Sequence, residues 1–354
     1  MQVVSNDGTS GLQSVIAAFV DIKQAQVIVD KHVGSGAQVL SIEEINSKAF
    51  SALTSTRSHL IRLSGDHTYI LKATPPITSR VYSPNALAHE HKLGQLLAQH
   101  SDIPHHKVIA LDISTTLVPF PYLLLSRPPG VPLSQVRASG KLSPRQTLLL
   151  DLRLGSLYKA IHDKIQNDWF GLPSQERDEL YSWQEAFTWQ LEALLHEVKE
   201  AGEDLPYEII RRYLSRAIGF FLFDDCEVPS LISFLGDEDT ILVDFDPDSS
   251  SSEDEVAITS LFPLSHALWG DPLLETMFVN PSDAFLEGYG QNLMIFARQK
   301  TKRLWYTLFL ALVVLAQILR TQVGNGSVRE EERYKWARET LESCIERLKD
   351  APCY

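Results

Sequence analysis

The chain has 354 residues, a formal net charge of −13 and three cysteines, with 44% hydrophobic and 22% charged residues. That is material for a sizeable core in one large or two modest domains. The acidity argues against nucleic acid and against insertion at an anionic membrane, because phosphate demands clustered Lys and Arg. Cys226, Cys344 and Cys353 are odd in number and contain no CxxC, so neither a disulfide framework nor a zinc site follows.

The opening MQVVSNDGTSGLQ has neither a basic stretch nor an apolar core of the secretory kind, so a cytoplasmic location is expected. Apolar residues at Leu12, Val15, Ile16, Phe19, Val20 and Ile22 predict an amphipathic helix over Gly11–His32, within an N-terminal extension of residues 1–36. From Val39 the pattern turns to strands: VLSIEEI, then HLIRL at 59–63, a Ser64–His67 turn and TYILKA at 68–73. The segment between the first two strands, Asn46–Ser58, holds no glycine. A loop that lets backbone amides close on phosphate wants glycine there. A helix is predicted over Asn85–Gln99, and an apolar strand Phe120–Ser126 breaks at Gly130 as a connector between lobes does. The small lobe is thus expected at 37–126 and the large one at 127–354.

Ser143 is a good N-cap with Pro144 at the first helical position, opening a long helix to Asp163 in which His162 reads as a packed or capping residue. Trp183–Ala201 and Pro206–Phe223 read as helices. The most apolar run, Leu304–Leu319, is 16 residues long against the roughly 20 that cross a bilayer, so it is expected to be a core helix. A charged helix, Arg329–Leu348, follows it.

The stretch Pro229–Glu275 carries the functional question. Two β-branched runs, Thr240–Val243 and Val256–Phe262, flank an acidic, serine-rich insert and predict a hairpin, after which Gly270-Asp271-Pro272 makes a turn. Aspartates at 244, 246 and 248 lack the glycine and the bidentate glutamate of a calcium loop.

Taken in order, YILK at 69–72, Glu90, FPYLLLS…GVPL, WFGLP at 169–173, TILVD at 240–244 and ITSLFPL…GDP resemble the aminoglycoside phosphotransferase and choline kinase family. That family reads HGDLHPGNILVD, a hairpin, then ITGIIDWEFAGYGDP. The resemblance covers roughly residues 38–320. It implies an α+β, two-lobed, protein-kinase-like fold: a small antiparallel sheet with one helix, and a larger, mainly helical lobe. It makes Lys72 the phosphate-gripping lysine and Glu90 its acidic partner.

In the same register the family's His and catalytic Asp fall on Ser233 and Leu235, its metal-binding Asn on Thr240 and its second metal-binding Asp on Pro263. Phosphoryl transfer needs Mg²⁺ on the phosphates and a carboxylate orienting the nucleophile. Leu235 and Pro263 supply neither. A shifted register that uses Gly236-Asp237 as the family's "GD" needs a two-residue deletion and leaves Pro263 where it was.

Three function classes stay open: an enzyme with changed chemistry, a non-catalytic pseudokinase and an atypical phosphotransferase. The expectation is the first, a cyclase or pericyclase without metal or cofactor acting on a small apolar metabolite. It is similar in kind to degenerate family members of fungal natural-product clusters, such as norbornene-forming Diels–Alderases of sordarin-type pathways. Lys72 and His266 would serve as polarising or anchoring donors. Glu90, Leu235, Thr240, Phe262, Pro263, Leu264 and Trp269 would line the cleft. The oligomeric state stays open.

Overall fold

A computed structural model describes residues 20–45, 56–65, 67–74, 83–178, 180–245, 256–261, 263–321 and 328–353. The Gly11–His32 helix is seen as α1 (Ile22–His32), capped by Asp21 through a reciprocal bond with Gln24; residues 11–19 lie outside the described residues, as do most of the Asn46–Ser58 loop and the hairpin tip 246–255.

The small lobe is a five-stranded antiparallel sheet of β1 (Val39–Glu44), β2 (Arg57–Leu63), β3 (Thr68–Ala73), β4 (Val108–Asp112) and β5 (Tyr122–Ser126), in the order β1-β2-β3-β5-β4. Strand β4 was not anticipated. Its five residues show no alternation that marks a strand by itself, and its place is set by pairing with the apolar β5. Side chains alternate across β3. Leu71 and Ala73 join Ala25, Ile28 and Val29 of α1 in a core on one face of the sheet, which leaves Lys72 on the other. There it meets α2 (Leu87–Leu97).

The large lobe holds α3 (Leu133–Ala138), α4 (Pro144–Lys164), α5 (Trp183–Glu200), α6 (Tyr207–Gly219), α7 (Asp283–Gly288), α8 (Ala297–Thr321) and α9 (Val328–Lys349). The Ser143 cap is present, reciprocated by Gln146 and reinforced by Pro144. The predicted hairpin forms from β8 (Leu242–Asp244) and β9 (Ala257–Ser260), with the short β6 (Val131–Pro132) on its other side. A second ribbon pairs β7 (Ser230–Ile232) with β10 (Leu268–Gly270). Among the described residues one helix, Ala297–Arg320, is long and apolar enough to cross a membrane, and 83% of its most apolar window is buried in the protein. Trp305, Leu308, Phe309, Leu312 and Leu315 of α8 sit in the main core.

Candidate functional site between the lobes

Lys72 stands on β3 opposite Leu123 of β5, and its Nζ pairs with the Glu90 carboxylate. Glu90 lies in the first turn of α2, where the helix dipole favours a negative charge, and its side chain is only 3% exposed. Lys72 Nζ also donates to Ser265 Oγ at 3.1 Å. An ammonium has three N–H donors, so one is without a partner among the described residues. Glu90 Oε1 has no hydrogen-bond partner among the described residues.

The segment 263–267 runs past this pair, with Ser265 on Lys72. A Cβ on Gly236 would overlap Ser233 Oγ and lie 3.3 Å from Pro263 Cδ, so loop 233–240 and Pro263 are neighbours, as the resemblance implies. Phe234 adopts φ +59, the left-handed conformation in which glycine is at ease and other residues cost about 1–2 kcal/mol.

The residues expected to line the cleft separate into groups. Lys72 and Glu90 come together, joined by Ser265, which is not among the expected residues; Leu264 lies against α2 at Gly94, and Pro263 beside Gly236. Leu235 is fully buried, in the core of the large lobe. Trp269 is 5% exposed in the same core, on β10 and bridged to Gly171. Both are buried in that core and present no open face. The family register points to Leu235 and closeness in sequence to Trp269, and neither says which way a side chain faces. His266 is 2% exposed and follows Ser265 directly. Phe262 lies outside the described residues.

Thr240 closes its own loop, donating to Asp237 O at 2.7 Å and accepting from Asp237 N at 3.2 Å. The Mg²⁺ that the resemblance implies does not fit these positions. Pro263 has no side-chain donor atom, and the Thr240 hydroxyl is committed to the Asp237 backbone. Among the described residues no group of three or more His, Cys, Asp and Glu could hold a metal ion.

Sequence reasoning missed the polar layer under the loop. Glu275 is fully buried and accepts from Ser233 N and Ser233 Oγ, both at 2.6 Å. Burial pushes the Tyr158 hydroxyl far up, the Glu275 charge adds to that, and a bond to Ser233 opposes it. His162 meets Tyr289 through Nδ1 at 2.9 Å, and its Nε2 lies 3.6 Å from Glu275. The packed role read for His162 agrees with this place. A buried carboxylate with two donors from one serine holds the loop that carries Leu235. Glu275→Leu removes both acceptors and leaves the buried Ser233 N–H without one. It is expected to cost about 2–3 kcal/mol, an unsatisfied buried group being the larger part, read as a lower urea midpoint at unchanged m-value. An unaltered midpoint would refute this account of the loop.

On its other side the loop is tied to α3. Ser134 donates to Asp239, and Arg137 Nε lies 2.7 Å from Glu238 Oε1. Burial raises the Glu238 carboxyl in spite of Arg137.

No protein-family model matches this chain, and no curated protein matches it in sequence. Solved structures do match over nearly its whole length. A protein from Ralstonia eutropha assigned as an aminoglycoside phosphotransferase aligns with a TM-score of 0.59 at 15% identity, covering 94% of this chain and 99% of its own. One from Haemophilus somnus assigned as a fructosamine-3-kinase gives 0.57 at 16%, covering 90% and 97%. A thermostable aminoglycoside phosphotransferase in ternary complex with ADP and hygromycin B gives 0.54 at 16%, covering 92% and 99%. At such identities the likeness is one of fold: a small antiparallel-sheet lobe and a helical lobe of the aminoglycoside phosphotransferase, protein-kinase-like type.

Proposed function

We propose that this chain is a small-molecule enzyme that binds an apolar natural-product intermediate between its lobes and acts as a cyclase or pericyclase, without metal, nucleotide or phosphoryl transfer. One observation carries the reading. The cleft keeps its cation, Lys72 on Glu90, while the three positions that phosphoryl transfer depends on hold a core leucine, a loop-closing threonine and a proline. Such a site lacks the means to hold Mg²⁺ on phosphates. It keeps what a cyclisation needs, one oriented N–H donor beside apolar surface. The free N–H of Lys72 would polarise a substrate carbonyl or anchor a carboxylate, with Leu264 and Pro263 as the apolar side. His266 stays a second candidate donor on the same segment.

A second reading, an atypical phosphotransferase, is favoured by a different observation. Asp237 stands two residues beyond Leu235 in the same loop, and the structural relatives include a phosphotransferase with ADP bound. Thermal denaturation separates the two. With millimolar ATP and Mg²⁺ the expected shift in Tm is below about 1 °C. Ligand linkage at 100 times Kd contributes about 2.7 kcal/mol, so a rise of several degrees would favour the second reading. In a turnover assay on polyene or terpenoid intermediates, Lys72→Ala is expected to lower kcat at least about tenfold with folding retained. An unchanged kcat would move the chemistry out of this cleft.

A further inference from the structure

We propose that Asn85 presets the cleft: it pins residues 264–267 of the large lobe to the small lobe, and so holds the Ser265 hydroxyl on the Lys72 ammonium before any ligand arrives. Asn85 has three N–H donors, one on the backbone and two on Nδ2. All three enter one short segment. The backbone N–H donates to Ser265 O at 2.6 Å. The side-chain amide donates to Leu264 O and to Ala267 O, each at 2.8 Å. Two carbonyl partners settle which way the amide faces.

Asn85 is 6% exposed, two residues ahead of α2, and its partners lie 179 and 182 residues further along the chain. Leu264 and Ser265 belong to no strand, so their carbonyls lack ladder partners; Leu264 O accepts from Ala267 N at 3.3 Å within the turn, and Asn85 adds a second donor to it. Nearby, Leu261 N donates to Pro104 O at 3.2 Å, a further bond between the lobes. A Cβ added to Gly94 on α2 would lie 3.8 Å from Leu264 Cδ1, so this leucine packs close under the helix.

The consequence falls on Lys72. Its contact with Ser265 exists only while the segment stays docked, and with Pro263 in place no side-chain metal ligand at that position can dock it. Asn85 is therefore a positioning residue, acting through Ser265 on the orientation of the ammonium. The inference rests on the interlobe geometry and is independent of the reaction proposed above.

Competitive acylation of lysines, followed by mass spectrometry on the full chain, tests it. Asn85→Ala removes two of the three donors, and Asn85→Asp also sets a carboxylate against two carbonyls. Two hydrogen bonds lost from a docking equilibrium correspond to about a tenfold change in it, so Lys72 is expected to acylate about tenfold faster in both variants. Lys302, whose side chain is 5% exposed in the large lobe, reports global opening and is expected to keep its rate. A Lys72 rate within about twofold of the parent overturns the proposal, and so does a rise that Lys302 shares. Should neither variant fold, Ser265→Ala decides. A severalfold faster Lys72 supports the proposal, and an unchanged rate overturns it.

Discussion

Asp271→Ala is expected to destabilise the protein by about 3–5 kcal/mol, the cost of removing one partner from a buried ion pair. Asp271 is 5% exposed, and its Oδ2 lies 2.6 Å from Lys302 Nζ. It also accepts from Tyr306 OH at 2.8 Å and from Leu273 N at 2.9 Å. Tyr306 in turn accepts from Trp183 Nε1 at 2.7 Å, so the carboxylate ends a chain of buried donors that joins α5, α8 and the turn after β10. Lys302 keeps a second partner, Asp225 at 2.5 Å, in the variant. That partner is partly solvated, which argues for the lower part of the range. The Gly270-Asp271-Pro272 turn is the part of the family pattern that matches outright, and its aspartate serves here as a helical cap and an ion-pair partner.

The same cluster gives a pH window. Burial raises the Asp271 carboxyl, but Lys302, the Leu273 amide and Tyr306 together outweigh it and leave the group below its ordinary value. A depressed carboxyl contributes stability that is present above its unfolded pKa, about 3.9, and is lost as the pH falls through the lower folded value. For Lys302 burial works downward, yet Asp271 and Asp225 leave it raised. Its contribution is complete below the unfolded value of about 10.4 and is lost as the pH climbs through the folded value above that. Urea midpoints measured against pH are therefore expected to show a contribution of this pair between about 4 and 10.4, with the acid-side decline shallower in Asp271→Ala. Equal acid slopes in parent and variant would show that the cluster does not govern acid stability.

Much of the fold could be read from local pattern, because the signals were local. Ser143 and Pro144 fix where α4 begins through chemistry within one turn. The β8–β9 hairpin follows from two β-branched runs with a polar insert between them. The pairing of Lys72 with Glu90 came from the family frame, which supplied a contact across 18 residues that spacing alone does not encode. Legibility ends where a residue's partner is distant and the residue type is ordinary. Asn85 looks like any polar residue at a helix start, and only the folded chain brings Leu264 and Ala267 to it. Glu275 ends the stretch Pro229–Glu275, yet its role depends on Ser233, 42 residues earlier. Leu235 and Trp269 are expected at the cleft from the sequence, and the folded chain buries both in the core of the large lobe. A leucine gains by turning into the core, where an ion would pay desolvation.

Gly288→Ala is expected to cost about 3 kcal/mol or more, against the sign that helix propensity alone would give. In a free helix, alanine gains roughly 1 kcal/mol over glycine. Here α7 crosses α4 with backbone against backbone. A Cβ on Gly288 would overlap the Leu152 carbonyl oxygen and stand 2.6 Å from its carbon. The opposing glycine, Gly155 of α4, is as tight: its Cβ would overlap Phe285 O and lie 2.6 Å from Tyr289 N. Ser156 Oγ reaches across the same crossing to Gly288 O at 3.0 Å. Main-chain atoms cannot rotate away as a flexible side chain does, so the helices must separate, and overpacking outweighs propensity. Separation carries a consequence for the cleft, because α4 also holds Tyr158 and His162 under the loop of Ser233 and Leu235. Gly155→Ala is expected to act in the same direction. The pair Gly155→Ala with Gly288→Ala is expected to cost less than the sum of the two, since one displacement of the helices makes room for both methyl groups. Chemical denaturation of the two single variants and the double variant checks this. Strict additivity would mean that the two glycines are accommodated by separate movements, and a gain in stability for Gly288→Ala would mean that the crossing is looser than its geometry.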